Sequence, residues 1–206
     1  MNNRRPFFIT LLALFSAVFA WSAVKPHDYF TWFLEVFPAL IALPILFFSY
    51  KKFPLTHLLY SLIFLHAIIL MVGGHYTYAE VPLFNWLRDT FHLDRNYYDR
   101  VGHVAQGFVP AIIAREILLR KNVVTNVENH GAWLFFLVTC VCLAISAFYE
   151  FLEWWVAVAS GSDAVAFLAT QGDIWDTQWD MFLALIGAVT AQLLLAKVHD
   201  QQLKRL

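Results

Sequence analysis

Charged residues are scarce in this sequence. Only 14% of the 206 residues are Asp, Glu, Lys or Arg, whereas a soluble domain carries about 25%. Hydrophobic residues make up 60% of the chain, and the mean hydropathy is +0.60. The net charge is −1, so no strong basic field would attract nucleic acid. These values exclude an ordinary soluble domain, predict no nucleic-acid partner, and favour an integral membrane protein.

Cysteine is rare, and the common catalytic motifs are absent. Cys140 and Cys142 are two residues apart within an apolar run, which places them on different faces of a helix. This disfavours a disulfide or a zinc knuckle, and we interpret both as small core residues. The sequence contains no His-Glu-x-x-His pair, no Gly-x-Ser-x-Gly elbow, no P-loop and no internal repeat.

Long apolar runs dominate the chain. Six of them have the roughly 20 residues that a helix needs to cross a bilayer: Phe7–Val24, Tyr29–Tyr50, Leu55–His75, Tyr98–Leu119, Ala132–Val158 and Trp179–Val198. The sequence therefore predicts an all-α, polytopic transmembrane helix bundle of about six spans, with one integral membrane domain over residues 1–206. The first run also resembles a signal peptide, but its apolar residues continue through Val24, so we interpret it as an uncleaved anchor.

Lysine and arginine positions predict the orientation of the bundle, because cytoplasmic flanks are enriched in these residues. With the N-terminus in the cytoplasm, ten of the 14 basic residues flank the spans on that side. The remaining four are Lys25, Arg88, Arg95 and Arg100. Both termini are therefore expected in the cytoplasm.

Acidic residues and histidines gather on the opposite, outer side. Twelve of the 15 acidic residues lie outside or in the outer half of a span, a bias that membrane topology does not explain. Some are spaced three or four apart, which places them on one face of a helix. The candidates are Asp99 and His103, Glu150 and Glu153, Asp173, Asp176 and Asp180, with His75 and Glu35 near the outer ends of their spans.

A bound cation would account for this cluster. An ionised side chain in a span costs about 2.5–3.5 kcal/mol on insertion scales. Arg100 is expected to point about 100° away from Asp99 on the helix, so it compensates little. Carboxylate and imidazole groups suit a divalent metal, whose identity the sequence leaves open. We predict the metal ligands Asp99, His103, Glu150, Asp173 and Asp176, the catalytic base Glu153, and the secondary candidates His75, Asp180 and Glu35.

Each candidate also has an ordinary structural explanation. Asp99 is placed to cap the fourth span, and His103 is placed to pack between helices. The remaining acids are equally compatible with a hydrated vestibule or a solvated loop. A metal site is favoured because all of these groups fall on one side of the membrane.

Three runs carry a resemblance to a known family. They are YYDRVGHVAQGFVPAIIARE, FYEFLEWW and TQGDIWDTQWDMFLALIGA, which resemble the YjdF family of bacterial inner-membrane proteins over essentially the whole chain. A more distant resemblance is to VanZ-like membrane proteins, whose order of polar residues is matched by Asp99, His103, Glu150 and Asp173 or Asp180. The residue pair Asp180-Met181 departs from the Asp-Asn of that pattern. The resemblance implies the fold and an inner-membrane location, and it implies little about a reaction.

Three functions are compatible with these observations. The first is a metal-dependent hydrolase or transferase that acts on a lipid or envelope component at the outer leaflet. The second is a non-catalytic envelope or sensor protein with a structural cation. The third is a small ion-coupled or proton-coupled transporter, which would favour inverted repeats that we do not find. In each case the lipid bilayer is the expected partner.

Cysteine labelling tests the predicted orientation. We expect a membrane-impermeant thiol reagent applied from the periplasm to label Ser162→Cys and to miss Asn126→Cys. The physical reason is that the loops Tyr76–Tyr97 and Ala159–Gln178 follow outward-going spans. Labelling of Asn126→Cys alone would reverse every side assignment above.

Overall fold

The structure, a computed structural model, describes residues 4–125, 128–161 and 165–206. Asn126 and Ser162, the two labelling positions, lie outside these residues. Regular structure within the described residues is helical, which confirms the all-α prediction. The elements are α1 (Arg4–Ser22), α2 (Tyr29–Ser49), α3 (His57–Tyr76), a short 3₁₀ helix (Tyr78–Glu80), α4 (Pro82–Phe91), α5 (Tyr98–Arg120), α6 (His130–Ser160), α7 (Val165–Leu168) and α8 (Asp176–Leu203).

Within the described part of the chain, five helices are long and apolar enough to cross a membrane: α1, α2, α3, α6 and α8. The predicted fourth span corresponds to α5, which has 23 residues but a mixed composition. This helix contains charged residues near both of its ends, and most of them are buried against neighbouring helices. It packs against α3, α6 and α8. The bundle is thus polytopic, with its most polar long helix in the centre.

Local capping explains where two of the spans begin. The Asp28 carboxylate accepts a hydrogen bond from the backbone N–H of Thr31 at 2.6 Å and caps α2. This bond holds the pKa of the Asp28 carboxyl below its usual range. The Thr56 hydroxyl oxygen accepts from the backbone N–H of Leu59 and caps α3. Both caps satisfy backbone donors that a helix start leaves without partners.

The closest helix pair is α5 with α8, which approach at two glycines. A Cβ atom on Gly107 would collide with the backbone carbonyl of Ala184, and one on Gly187 would collide with that of Val104. Small residues allow backbones to approach closely in membrane bundles, where lipid supplies no hydrophobic drive for association. Polar side chains on α5 and α8 are therefore brought within contact of each other.

A network of buried polar side chains lies near the C-terminal end of α5. The Glu116 carboxylate, fully buried, accepts from the Thr56 hydroxyl at 2.9 Å and from Arg120 at 2.8 Å. Its third partner, on α8, is the His199 Nε2 atom at 3.0 Å. Arg115 contacts His199 Nδ1 at 2.9 Å. This network joins α3, α5 and α8, and all of its members have partners.

Substitution of either close-packed glycine tests the helix crossing. We expect Gly107→Ala and Gly187→Ala each to lower the stability of the protein by about 1–3 kcal/mol or more, because the added methyl must push a backbone away. Thermal unfolding of purified protein measures this. The matched control is Gly131→Ala in α6, where a Cβ meets nothing within 4 Å. Equal melting temperatures for all three variants would contradict the packing.

Candidate functional site

Two arginines organise the end of the bundle at which α5 begins and α6 ends. Arg100 donates to Asp173 at 2.9 Å, to Asp176 at 2.8 Å and to Asp180. Arg95 donates to Asp176 at 2.8 Å and lies 3.5 Å from Asp99. The expectation that Arg100 points away from the acids was wrong. Although it leaves the helix at a different angle from Asp99, its long side chain reaches the carboxylates of α8.

The loop before α5 holds Arg95 in place. Asn96 is fully buried and donates to the Val81 carbonyl at 3.1 Å and to the Asn85 side chain at 2.8 Å. Its backbone N–H donates to the Gln171 side chain at 2.9 Å. These bonds fasten the loop to the segment before α8. The guanidinium of Arg95 is thereby fixed between two acidic elements.

Beside the arginines lies a trio of potential metal ligands, Asp99, His103 and Asp180. One donor atom from each lies within 4.8 Å of the others, and all three residues are buried. The His103 Nε2 atom is 3.4 Å from Asp99 Oδ1 and 3.5 Å from Asp180 Oδ1. Tetrahedral ligands at about 2.0–2.1 Å from zinc are separated by roughly 3.3–3.4 Å. The spacing of the trio therefore suits a small divalent cation.

The second nitrogen of His103 also fits a ligand role. Its Nδ1 atom is 3.1 Å from the Gln106 side-chain oxygen, an arrangement in which Nδ1 donates a proton. Nε2 then presents a lone pair to Asp99 and Asp180. Because lone pairs repel, a proton or a metal ion must lie between these atoms.

Charge counting leads to the same conclusion. Two arginines, Arg95 and Arg100, face four aspartates. With His103 neutral, two negative charges remain in a largely buried place, where uncompensated charge is costly. One divalent cation would cancel them, and so would protons on His103 and on one carboxylate.

A cavity of about 210 Å³ adjoins the trio. Asp99 and His103 lie in its wall together with two glutamates predicted from the sequence, Glu35 of α2 and Glu153 of α6. The wall contains further polar and aromatic groups at His66, Tyr78, Gln106 and Tyr149. The candidate metal ligands Asp99 and His103 therefore share a cavity with Glu153, a carboxylate that could act as a base.

The remaining predicted residues lie around this centre. Asp173 and Asp176 contact the two arginines. Glu150 is buried, and one of its carboxylate oxygens has no hydrogen-bond partner among the residues that the structure describes. His75 is separate from the trio, since its Nδ1 atom contacts the Ser22 carbonyl at 3.1 Å and its ring packs on Trp21.

Several residues of the site were missed from the sequence. Arg95 and Arg100 precede and follow Asp99 in the run DRNYYDR, and this alternation of charges is a signal for an ion-pair cluster. Tyr78 comes from the short 3₁₀ helix and Tyr149 from α6, and no sequence spacing relates them to α5. His66 lies in an apolar run and gave no signal either.

Comparison with known proteins places the chain in a family. Residues 7–201 match the family described as "Predicted membrane protein (DUF2238)". The chain is 49% identical over 202 residues to "Inner membrane protein YjdF" of Escherichia coli (strain K12), which covers 98% of this chain and 95% of that protein. No solved structure matches significantly. The chain belongs to this family of inner-membrane proteins.

Removal of Arg100 tests the ion-pair cluster. We expect Arg100→Ala to destabilise the protein by about 3–5 kcal/mol, because it leaves buried carboxylates uncompensated. Arg100→Lys should rescue only in part, since an ammonium does not bridge carboxylates as a planar guanidinium does. The control is Arg88→Ala, whose exposed pair with Asp89 contributes about 0–1 kcal/mol. Thermal unfolding that ranks Arg88→Ala as the more damaging change would contradict the cluster.

Proposed function

We propose that this member of the DUF2238 family binds one divalent cation at Asp99, His103 and Asp180 and acts as a metal-dependent hydrolase or transferase. Its substrate would be a lipid or envelope component at the outer leaflet of the inner membrane. The observation that carries the proposal is the position of the trio in and beside a cavity whose wall also contains Glu153.

Each residue has a distinct role in this proposal. A bound metal would lower the pKa of a water molecule or polarise a phosphoryl or carbonyl oxygen. Gln106 orients the His103 ring, and Arg100 fixes the Asp180 carboxylate. Glu153, on the cavity wall, takes a proton from the attacking group.

The arrangement of polar groups favours a site at one end of the bundle and disfavours a transport pathway across the membrane. Buried residues between the trio and Glu116 include Val109, Ala111 and Ile112, of which the last two are fully buried. The buried polar residues of this layer, Ser146 and Gln192, carry no charge, whereas a proton or ion pathway relies on ionisable groups. An enzyme at one leaflet requires none.

The outer orientation of the site is part of the proposal. α5 begins at this end, and the basic residues of the chain favour the opposite side as cytoplasmic. The site would then face the periplasm, where it could reach lipid-linked substrates of the outer leaflet.

Metal content tests the proposal. We expect purified protein to hold about one divalent metal per chain, and His103→Ala and Asp180→Asn to lose it. Elemental analysis after gentle purification measures this, with His130→Ala as the control because His130 is exposed and outside the site. Chelation should lower the melting temperature of the wild type, because a ligand that binds only the folded state stabilises it.

The catalytic role requires a separate measurement. Glu153→Gln should retain the metal and lose turnover of the lipid substrate. Metal binding without any turnover of envelope lipids would favour the structural-cation alternative. Absence of metal, together with a melting temperature that chelation leaves unchanged, would overturn the metal site itself.

A further inference from the structure

The cavity wall is acidic, and the described residues that line it include no lysine or arginine. Its charged residues are Glu35, Asp99 and Glu153, together with the two histidines His66 and His103. Such a wall repels phosphate and other anions that are not held by a metal. It attracts a positively charged group.

Glu35 has no cationic partner among the described residues. Its side chain is 5% exposed and lies on the cavity wall, where the Tyr78 hydroxyl is within hydrogen-bonding reach. Asp99, by contrast, is flanked by two arginines. A buried carboxylate without a counter-charge is costly, so Glu35 holds either a proton or a cationic ligand, and an ammonium group would supply the missing charge.

Tyr78 is built into the wall next to Glu35. A Cβ atom on either Gly73 of α3 or Gly102 of α5 would collide with its ring, so the phenol occupies a slot that only glycine leaves open. The preceding residue, Thr77, has φ 59° and ψ 148°, a backbone conformation that is costly for any residue other than glycine. Phe167 and Tyr149 add further rings. Aromatic faces beside a carboxylate are the usual surroundings of a bound ammonium group.

Two residues of the cavity wall lie near the membrane-facing surface, one on α6 and one on α2. Ile145 of α6 is on the wall and is also 42% exposed. It lies one helical turn further into the bundle than Tyr149 and two turns further than Glu153. Pro38 of α2 is also on the wall, next to the exposed Phe37. The side between α2 and α6 is where a lipid would approach the cavity.

We infer that the cavity binds the ammonium group of an amine-bearing membrane lipid, of the phosphatidylethanolamine class, with Glu35 as the counter-charge and Tyr78 as the aromatic contact. The volume of about 210 Å³ accommodates a head group and excludes a whole lipid, whose chains stay between α2 and α6. The inference rests on the proposed function in that it names the substrate class of the same site. In this arrangement the ammonium group does not use the Asp99 and Asp180 carboxylates of the metal trio.

Head-group selectivity tests the inference. Calorimetric titration of purified protein with dihexanoyl phosphatidylethanolamine should show binding about tenfold or more tighter than dihexanoyl phosphatidylglycerol, which has the same chains and no ammonium. Free ethanolamine is the third ligand to be titrated. If it binds more weakly than the phosphatidylethanolamine, the ligand of the cavity is the lipid. If the two bind equally well, the ligand is a soluble amine of the same chemistry and not a lipid.

Variants assign the selectivity to Glu35. Glu35→Gln should weaken phosphatidylethanolamine binding about tenfold while retaining the metal, and the exposed control Asp89→Asn should change neither. Equal binding of the two lipids by the wild type, or unchanged binding by folded Glu35→Gln, would overturn the inference. The comparison of the two lipids on wild-type protein tests the inference even if Glu35→Gln fails to fold. The His103→Ala variant distinguishes this inference from the proposed function. If it loses the metal but still prefers phosphatidylethanolamine to phosphatidylglycerol, the head-group site stands independently of the metal site.

Discussion

The structure depends on compensating charge inside a helix bundle. Lipid offers no water to solvate an ion, so each buried carboxylate needs a partner within the protein. α5 meets this requirement twice, with Arg95 and Arg100 at one end and with Arg120 and His199 around Glu116 at the other. The second group is complete, whereas the first retains an excess of carboxylates. That difference is the physical reason to locate function at the first end.

Close packing of α5 on α8 makes both polar groups possible. Gly107 and Gly187 let the two backbones meet, which brings Asp180 to Arg100 and, further along, His199 to Glu116. The same crossing holds the candidate metal ligands within reach of one another. Stability and the candidate chemistry therefore share one set of contacts, and a change at either glycine would affect both.

The cavity combines groups of different character. On one side are the trio and its arginines, which suit a metal and, through it, an anionic group. On the other are Glu35 and Tyr78, which suit a cation. A zwitterionic head group, with a phosphate and an ammonium a few bonds apart, matches this division. Ile145, which is on the cavity wall and partly exposed, lies on the side from which a substrate within the bilayer would approach.

Apolar run length by itself determined the all-α membrane fold, because a bilayer imposes a minimum length on every span. Helical spacing alone related Asp99 to His103, since residues four apart share a face. Only the tertiary structure decided that Arg100 reaches three aspartates and that Asp180 joins the trio. It also decided that Glu35 and Tyr78 share a cavity with them. The reason is that such contacts arise from the packing of separate helices, which no spacing along the chain encodes.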